Sequence, residues 1–233
     1  MRRAVEPPRP FRATFEVEKF AWLPLIDNLC VRQQAGFDQV LLELETELVA
    51  GRNVVAVTSV KRGEGRTVMT QCLAKRAVNA GLSVCIVDFD DANPRLAEAL
   101  GLAVETGWEQ LLDGKSLCDA VIESVGDGMS AVLLKHPLAA ETLIERAAEC
   151  AAWMDRLRRE FDLVLLDTTP AIDAEMGATG NLPIDGWLVV RDVHQTSLPE
   201  LARWQRRVAG PNVNLLGVLE NRADEMPPLA KSG

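Results

Sequence analysis

Tyrosine is absent from the 233 residues, so no reaction that needs a phenolic hydroxyl has one in this chain. Histidine occurs only at His136 and His194. The cysteines, Cys30, Cys72, Cys85, Cys118 and Cys150, are odd in number, widely spread and without a C-x-x-C pair; they read as reduced core residues rather than a disulfide or metal framework. No uninterrupted apolar run approaches the ~20 residues that a membrane-spanning helix requires. The basic stretch from Met1 to Lys19 lacks the apolar core and cleavage motif of a secretory signal, and the expected location is the cytoplasm. Excess positive charge is missing too: 25 Lys and Arg against 34 Asp and Glu leave a formal net charge of −9. That balance argues against general binding to a phosphate backbone, and no nucleic-acid partner is expected.

The apolar share of 48% and charged share of 25% fall in the globular range. The length suits one large α/β domain with a short extension. Residues 1–35 open with Pro7, Pro8 and Pro10 among mixed charges, which predicts an extended or disordered arm. Within 36–52, Phe37, Val40, Leu41, Leu44 and Leu48 recur at helical spacing before Gly51, so an amphipathic helix leads into the domain. Residues 53–225 then alternate strand-like and helical runs, and 226–233 form a tail. The expected strands are VVAVTSV, VCIVDFD, SAVLLK, LVLLD, GWLVV and NLLGVL. Helices are expected near Thr67 to Ala80, Pro94 to Leu100, Ala139 to Glu160 and Leu198 to Val208. About six continuous apolar strands between helices predict a doubly wound, mostly parallel sheet.

Between the first strand run and its helix lies TSVKRGEGRT, a place where glycines turn the backbone and aim N–H groups at an anion. Against G-x-x-x-x-G-K-[ST], Ser59 replaces the first glycine and Arg66 the lysine, while Gly65 and Thr67 match. The same two glycines, Gly63 and Gly65, also suit a tight turn with no ligand. The second run ends in Asp88-Phe89-Asp90, whose two carboxylates share one side of the strand. The run Leu163 to Leu166 is followed by Asp167, the composition of a Mg²⁺-organising second motif. An acid at a strand end also serves simply to cap a helix or face solvent; the ordered succession of loop, Asp88 and Asp167 is what favours a nucleotide site.

Lys61-Arg62-Gly63-Glu64-Gly65-Arg66-Thr67, then IVDFD, then LVLLDTTP, resembles the deviant Walker-motif ATPases, and above all the bacterial tyrosine kinases of capsule and exopolysaccharide synthesis. The likeness runs from about Asn53 to Arg222 and takes in Asn93-Pro94-Arg95-Leu96, Gly107-Trp108 to Gly114, and GVLENR. It implies a P-loop fold with ATP and Mg²⁺ as ligands. The loop from Lys61 to Val68 and the Arg66 side chain would hold phosphates, Thr67, Asp88 and Asp167 would lie at the metal, and Asn221 near the base. Lys61 matches the lysine that reaches across a dimer in partition and septum-site ATPases; with Asp88 and Arg66 it completes the implied catalytic set. The implied partners are a membrane chain-length regulator, which would place the protein at the inner membrane, and further copies of the chain.

Two departures shape the expectation. Arginine at position 66 keeps the charge of lysine but presents a larger, fixed planar fork. With no tyrosine, the chain has no acceptor for tyrosine autophosphorylation, and the tail DEMPPLAKSG has no acceptor cluster. Three readings stand: an ATP-binding, kinase-like protein; a non-catalytic scaffold; and a partition-type ATPase dimerising through Lys61. Trp108, Trp187 and Trp204 read as packing residues, His194 as a surface-loop residue, and Arg156 to Glu160 as a solvated helix end.

Overall fold

The structure, a computed structural model, describes residues 12–170, 182–209 and 213–222. In chain order its elements are β1 (Phe15–Val17), α1 (Pro24–Arg32), α2 (Gln34–Val49), β2 (Val54–Ser59), α3 (Arg66–Asn79), β3 (Val84–Phe89), α4 (Leu96–Ala99), a 3₁₀ turn (Trp108–Leu111), α5 (Leu117–Ala120), β4 (Val121–Ser124), β5 (Met129–Val132), α6 (Ala140–Glu145), α7 (Ala147–Glu160), β6 (Leu163–Thr168), β7 (Gly186–Asp192), α8 (Leu198–Val208) and β8 (Leu215–Asn221). The strands form one sheet in the order β1-β4-β5-β3-β6-β2-β7-β8. Every neighbouring pair is parallel except β4 with β5.

The continuous apolar runs have their cause in this arrangement. Every residue of β2, β3, β6 and β7 is buried, because helices cover both faces of the sheet. On one face Val55, Val57, Ile86 and Leu165 pack with Ile26, Cys30, Phe37, Leu44 and Leu73 from α1, α2 and α3. On the other, Ala56, Val87, Phe89 and Leu166 pack with Trp108, Trp153 and Leu157. There Phe89 and Trp108 stack with centroids 5.0 Å apart, and Trp153 closes the cluster 5.5 Å from Trp108. Trp187 and Trp204 are buried as well, so the three tryptophans picked out in the sequence all serve packing.

The structure corrects the expected chain organisation at several places. Residues 12–35 are not an extended or disordered arm: β1 pairs with β4, and α1 buries Ile26 and Cys30 against α3. Residues 1–11 and 226–233 lie outside the described residues. The helix expected over Ala139 to Glu160 breaks at Arg146, the shared boundary of α6 and α7. The end of α7 is not wholly given over to solvent either. Arg158 reaches Asp185 at 2.6 Å and the Pro183 carbonyl at 2.7 Å, tying α7 to the entry of β7.

Candidate nucleotide site

The residues singled out by sequence lie at the carboxyl ends of five adjacent parallel strands, β3, β6, β2, β7 and β8. Ligands bind at this edge of a doubly wound sheet. Between β2 and α3 the loop turns through Gly63 at φ +82° and Gly65 at φ +91°, values that side chains with a Cβ rarely adopt. A Cβ on Gly65 would also meet Nδ2 of Asn221 at 2.5 Å. The loop residues Arg62 to Val68, with Ser59, Asp90, Asn93 and Arg95, line a cleft of about 250 Å³, where the first N–H groups of α3 have no helical partner.

A buried carboxylate and a side-chain amide brace the loop. Glu64 accepts the backbone N–H of Lys61 at 2.7 Å and that of Asp192 at 3.2 Å, joining the loop to the end of β7. Asn221 donates from Nδ2 to the Glu64 carbonyl at 2.9 Å, joining it to β8. Asn221 therefore acts here on the loop backbone. Lys61 does not line the cleft: its ammonium donates to the Gln195 carbonyl at 2.6 Å and to Glu200 Oε1 at 3.0 Å within the same chain. Glu200 also closes a capping box with Ser197 at the start of α8, and these contacts hold its carboxyl down to about 2, the Ser197 backbone N–H foremost.

Thr67 and Asp167 meet in the structure. The threonine hydroxyl donates to Asp167 Oδ2 at 2.6 Å. Asp167 shares the parity of Leu163 and Leu165, whose side chains face α3, so β6 presents it to the start of that helix. Asp88 stands beside it in register across β3 and β6. Its carboxylate, however, accepts the backbone N–H of Leu96 at 2.9 Å and of Asp90 at 3.3 Å. Burial, reinforced by the Asp167 charge, raises Asp88 to about 8. Burial also raises Asp167, opposed by the Arg66 guanidinium and the Thr67 hydroxyl.

Arg66 takes a course that the motif alone does not reveal. Its Nη2 donates to Asp90 Oδ2 at 2.6 Å, its Nη1 to Ser59 Oγ at 3.3 Å, and its Nε stands 3.5 Å from Asp167 Oδ1. Arg62 adds a longer contact to Asp90 at 3.8 Å. The cationic fork is thus the counter-ion of two buried carboxylates as well as a wall of the cleft. Its partner Asp90 was visible only as the second acid of the strand end. Glu64 as a brace carried no sequence signal beyond its place in the loop, whereas the pattern Ser197-x-x-Glu200 does announce the capping box. His194 is an exposed loop residue whose N–H donates to Asp192 at 2.9 Å.

The ParA family model, described as the NUBPL iron-transfer P-loop NTPase, matches residues 50–231. The chain belongs to this family. Among the relatives of this ParA-family chain, EpsB of Ralstonia solanacearum, assigned by name as a tyrosine-protein kinase, is 28% identical over 183 residues, 75% of this chain and 24% of its own. The chain therefore spans about a quarter of that relative's length. The tyrosine-protein kinase CpsD of Streptococcus pneumoniae is 25% identical over 73% of this chain and 76% of its own. The cytosolic Fe-S cluster assembly factor NUBP1 homolog of Brugia malayi is 26% identical over 82% and 64%. The kinase domain of the Escherichia coli tyrosine kinase ETK superposes with a TM-score of 0.71 at 17% identity, covering 94% of each chain. Cobyrinic acid a,c-diamide synthase from Mycobacterium smegmatis with bound ADP and magnesium gives 0.57 at 20% identity over 72% and 74%. At these identities the superpositions speak to the fold.

Proposed function

We propose that the chain is an ATP-binding, kinase-like P-loop protein of exopolysaccharide or capsule synthesis, working in the cytoplasm beside a membrane chain-length regulator. The observation that carries the nucleotide reading is the 2.6 Å contact of Thr67 with Asp167 at the start of α3, next to a glycine-turned loop. The likeness to EpsB and CpsD supports the kinase-like part. In this reading the loop amides from Gly63 to Val68, together with Arg62, Arg66 and Arg95, which line the cleft, would meet phosphate oxygens.

A magnesium ion fits the donor set in kind. Asp167 Oδ1 is buried without a hydrogen-bond donor, and its carboxylate is paired with the Thr67 hydroxyl; magnesium characteristically takes one or two carboxylates and completes its shell with phosphates and water. Thr67 and Asp167 would hold it, and it would neutralise charge on the phosphates. Asp88, whose carboxylate accepts the backbone N–H groups of Leu96 and Asp90, would stand beside the ion across the β3–β6 pair.

In the same reading, tyrosine autophosphorylation within these residues has no acceptor, and transfer would have to go to water or another protein. A non-catalytic scaffold is the second reading. It is favoured by the commitment of Arg66 to Asp90 and of the Asp88 carboxylate to the backbone N–H of Leu96, contacts that each group would have to give up to act on a γ-phosphate. The partition-type alternative requires Lys61 to leave Glu200 and cross to a second copy; dimerisation on ATP that Lys61→Ala abolishes would favour it.

The decisive test of nucleotide binding is the thermal unfolding midpoint with ATP, ADP or neither, each with and without Mg²⁺, beside Asp167→Ala. Ligand at about a hundred times its dissociation constant adds roughly 2.7 kcal/mol, a readily measured shift. The expected outcome is a shift with nucleotide that Mg²⁺ enlarges and Asp167→Ala diminishes; no shift at millimolar nucleotide sinks the reading.

A further inference from the structure

A second concavity lies outside the phosphate cleft, between the residue that follows β2 and the outer side of α8. Its volume is about 390 Å³, and its lining is Val60, Lys61, Glu200, Arg203, Trp204 and Arg207. Arg203, Arg206 and Arg207 are exposed, and none forms an ion pair among the described residues. Val60 and Trp204 supply an apolar floor. The groove thus joins a cationic rim to an apolar base.

We propose that this groove docks a short acidic peptide segment of a partner protein, whose carboxylates pair with Arg203, Arg207 and Lys61 while its stem packs on Val60 and Trp204. The argument for a peptide is one of charge and range. The chain carries a net −9, so an extended polyanion such as a duplex or an anionic bilayer meets its repulsion over many ångströms. A short segment feels mainly what lies within about 8 Å of the groove at physiological ionic strength. Bare phosphate would leave the apolar floor unused. Glu200 already occupies Lys61 at 3.0 Å, so an incoming carboxylate competes with Glu200 for that ammonium. Through the Lys61 backbone N–H on Glu64, docking is mechanically joined to the phosphate loop.

The test is fluorescence anisotropy of a labelled synthetic peptide of glutamates interrupted by leucine, titrated with the protein and with the double variant Arg203→Ala/Arg207→Ala. Because both arginines are exposed and unpaired, the variant is expected to unfold at the wild-type midpoint, which a thermal scan checks. Saturable binding at physiological ionic strength, weakened about tenfold or more in the variant, is the expected result. Absence of saturable binding, or equal binding by the variant, overturns the proposal. So does competition by inorganic phosphate at the peptide's own concentration, which would reduce the groove to a small-anion site. Arginine-dependent sedimentation with phosphatidylglycerol vesicles, without peptide binding, overturns it in favour of a membrane surface. None of these outcomes depends on whether ATP binds.

Discussion

At residue 66 a single guanidinium answers two buried acids, and its removal tests how far the site depends on it. Arg66→Ala removes the close counter-ion of buried Asp90 and Asp167 and leaves Asp90 only the 3.8 Å contact with Arg62; breaking such a pair costs about 3–5 kcal/mol. The expected outcome is a urea midpoint lowered accordingly at neutral pH, with partial recovery at acid pH, where the carboxylates are neutral. Asp88 gives a second prediction at this scale. Its carboxyl is raised to about 8 by burial and the neighbouring Asp167 charge, from an ordinary value of about 4. The folded state therefore holds this proton more tightly than the unfolded state. The stabilisation is complete below about pH 4, declines as pH rises from about 4 to 8, and is gone above that. Asp88→Asn, which is neutral throughout, is expected to flatten the fall in unfolding free energy between pH 5 and pH 8 measured by urea titration; an unchanged slope would place the titration elsewhere. The carboxylate and the arginine were both legible in the sequence. Their pairing was not, since Ser59, Arg66 and Asp90 are brought together only when β2, α3 and β3 are side by side.

Among the elements, β1 and α1 show where pattern reading runs out. The segment before Gln34 buries few side chains: Phe20, Ile26 and Cys30. Periodicity is faint when a nine-residue helix presents only two buried positions. Pro24, moreover, opens that helix at a position where proline lacks no needed hydrogen bond, though it sits in a stretch whose other prolines suggest disorder. Ile26 is fully buried among the residues of α3 and its surroundings, so Ile26→Ala is expected to cost about 2–5 kcal/mol. A loss below about 1 kcal/mol in chemical denaturation would mean that α1 is a loosely held addition. The core strands, by contrast, were legible because burial on both faces makes each a continuous apolar run. The short strands β1 and β4 escaped notice because three or four residues offer too little alternation to stand out.

For the whole molecule, the sheet order predicts a gradient of stability. β6 and β2 lie inside the sheet with neighbours on both sides and no exposed residue, whereas β1 and β8 are its edges. Amide hydrogen exchange is expected to be slowest in β2, β3 and β6 and fastest in β1 and along the outer side of β8; uniform protection across the sheet would contradict this. A doubly wound sheet was readable from the alternation of runs, but the insertion of β6 between β3 and β2 was not, because strand order depends on which crossovers pack rather than on local composition. That order also bears on how the protein is made. β1 is synthesised before the other described strands, yet its partner is β4, with Phe15 set against Ile122 and Val17 against Ser124. On the ribosome this strand must therefore wait, unpaired, while the phosphate loop, β2 and β3 emerge, and closure of this edge follows the synthesis of β4.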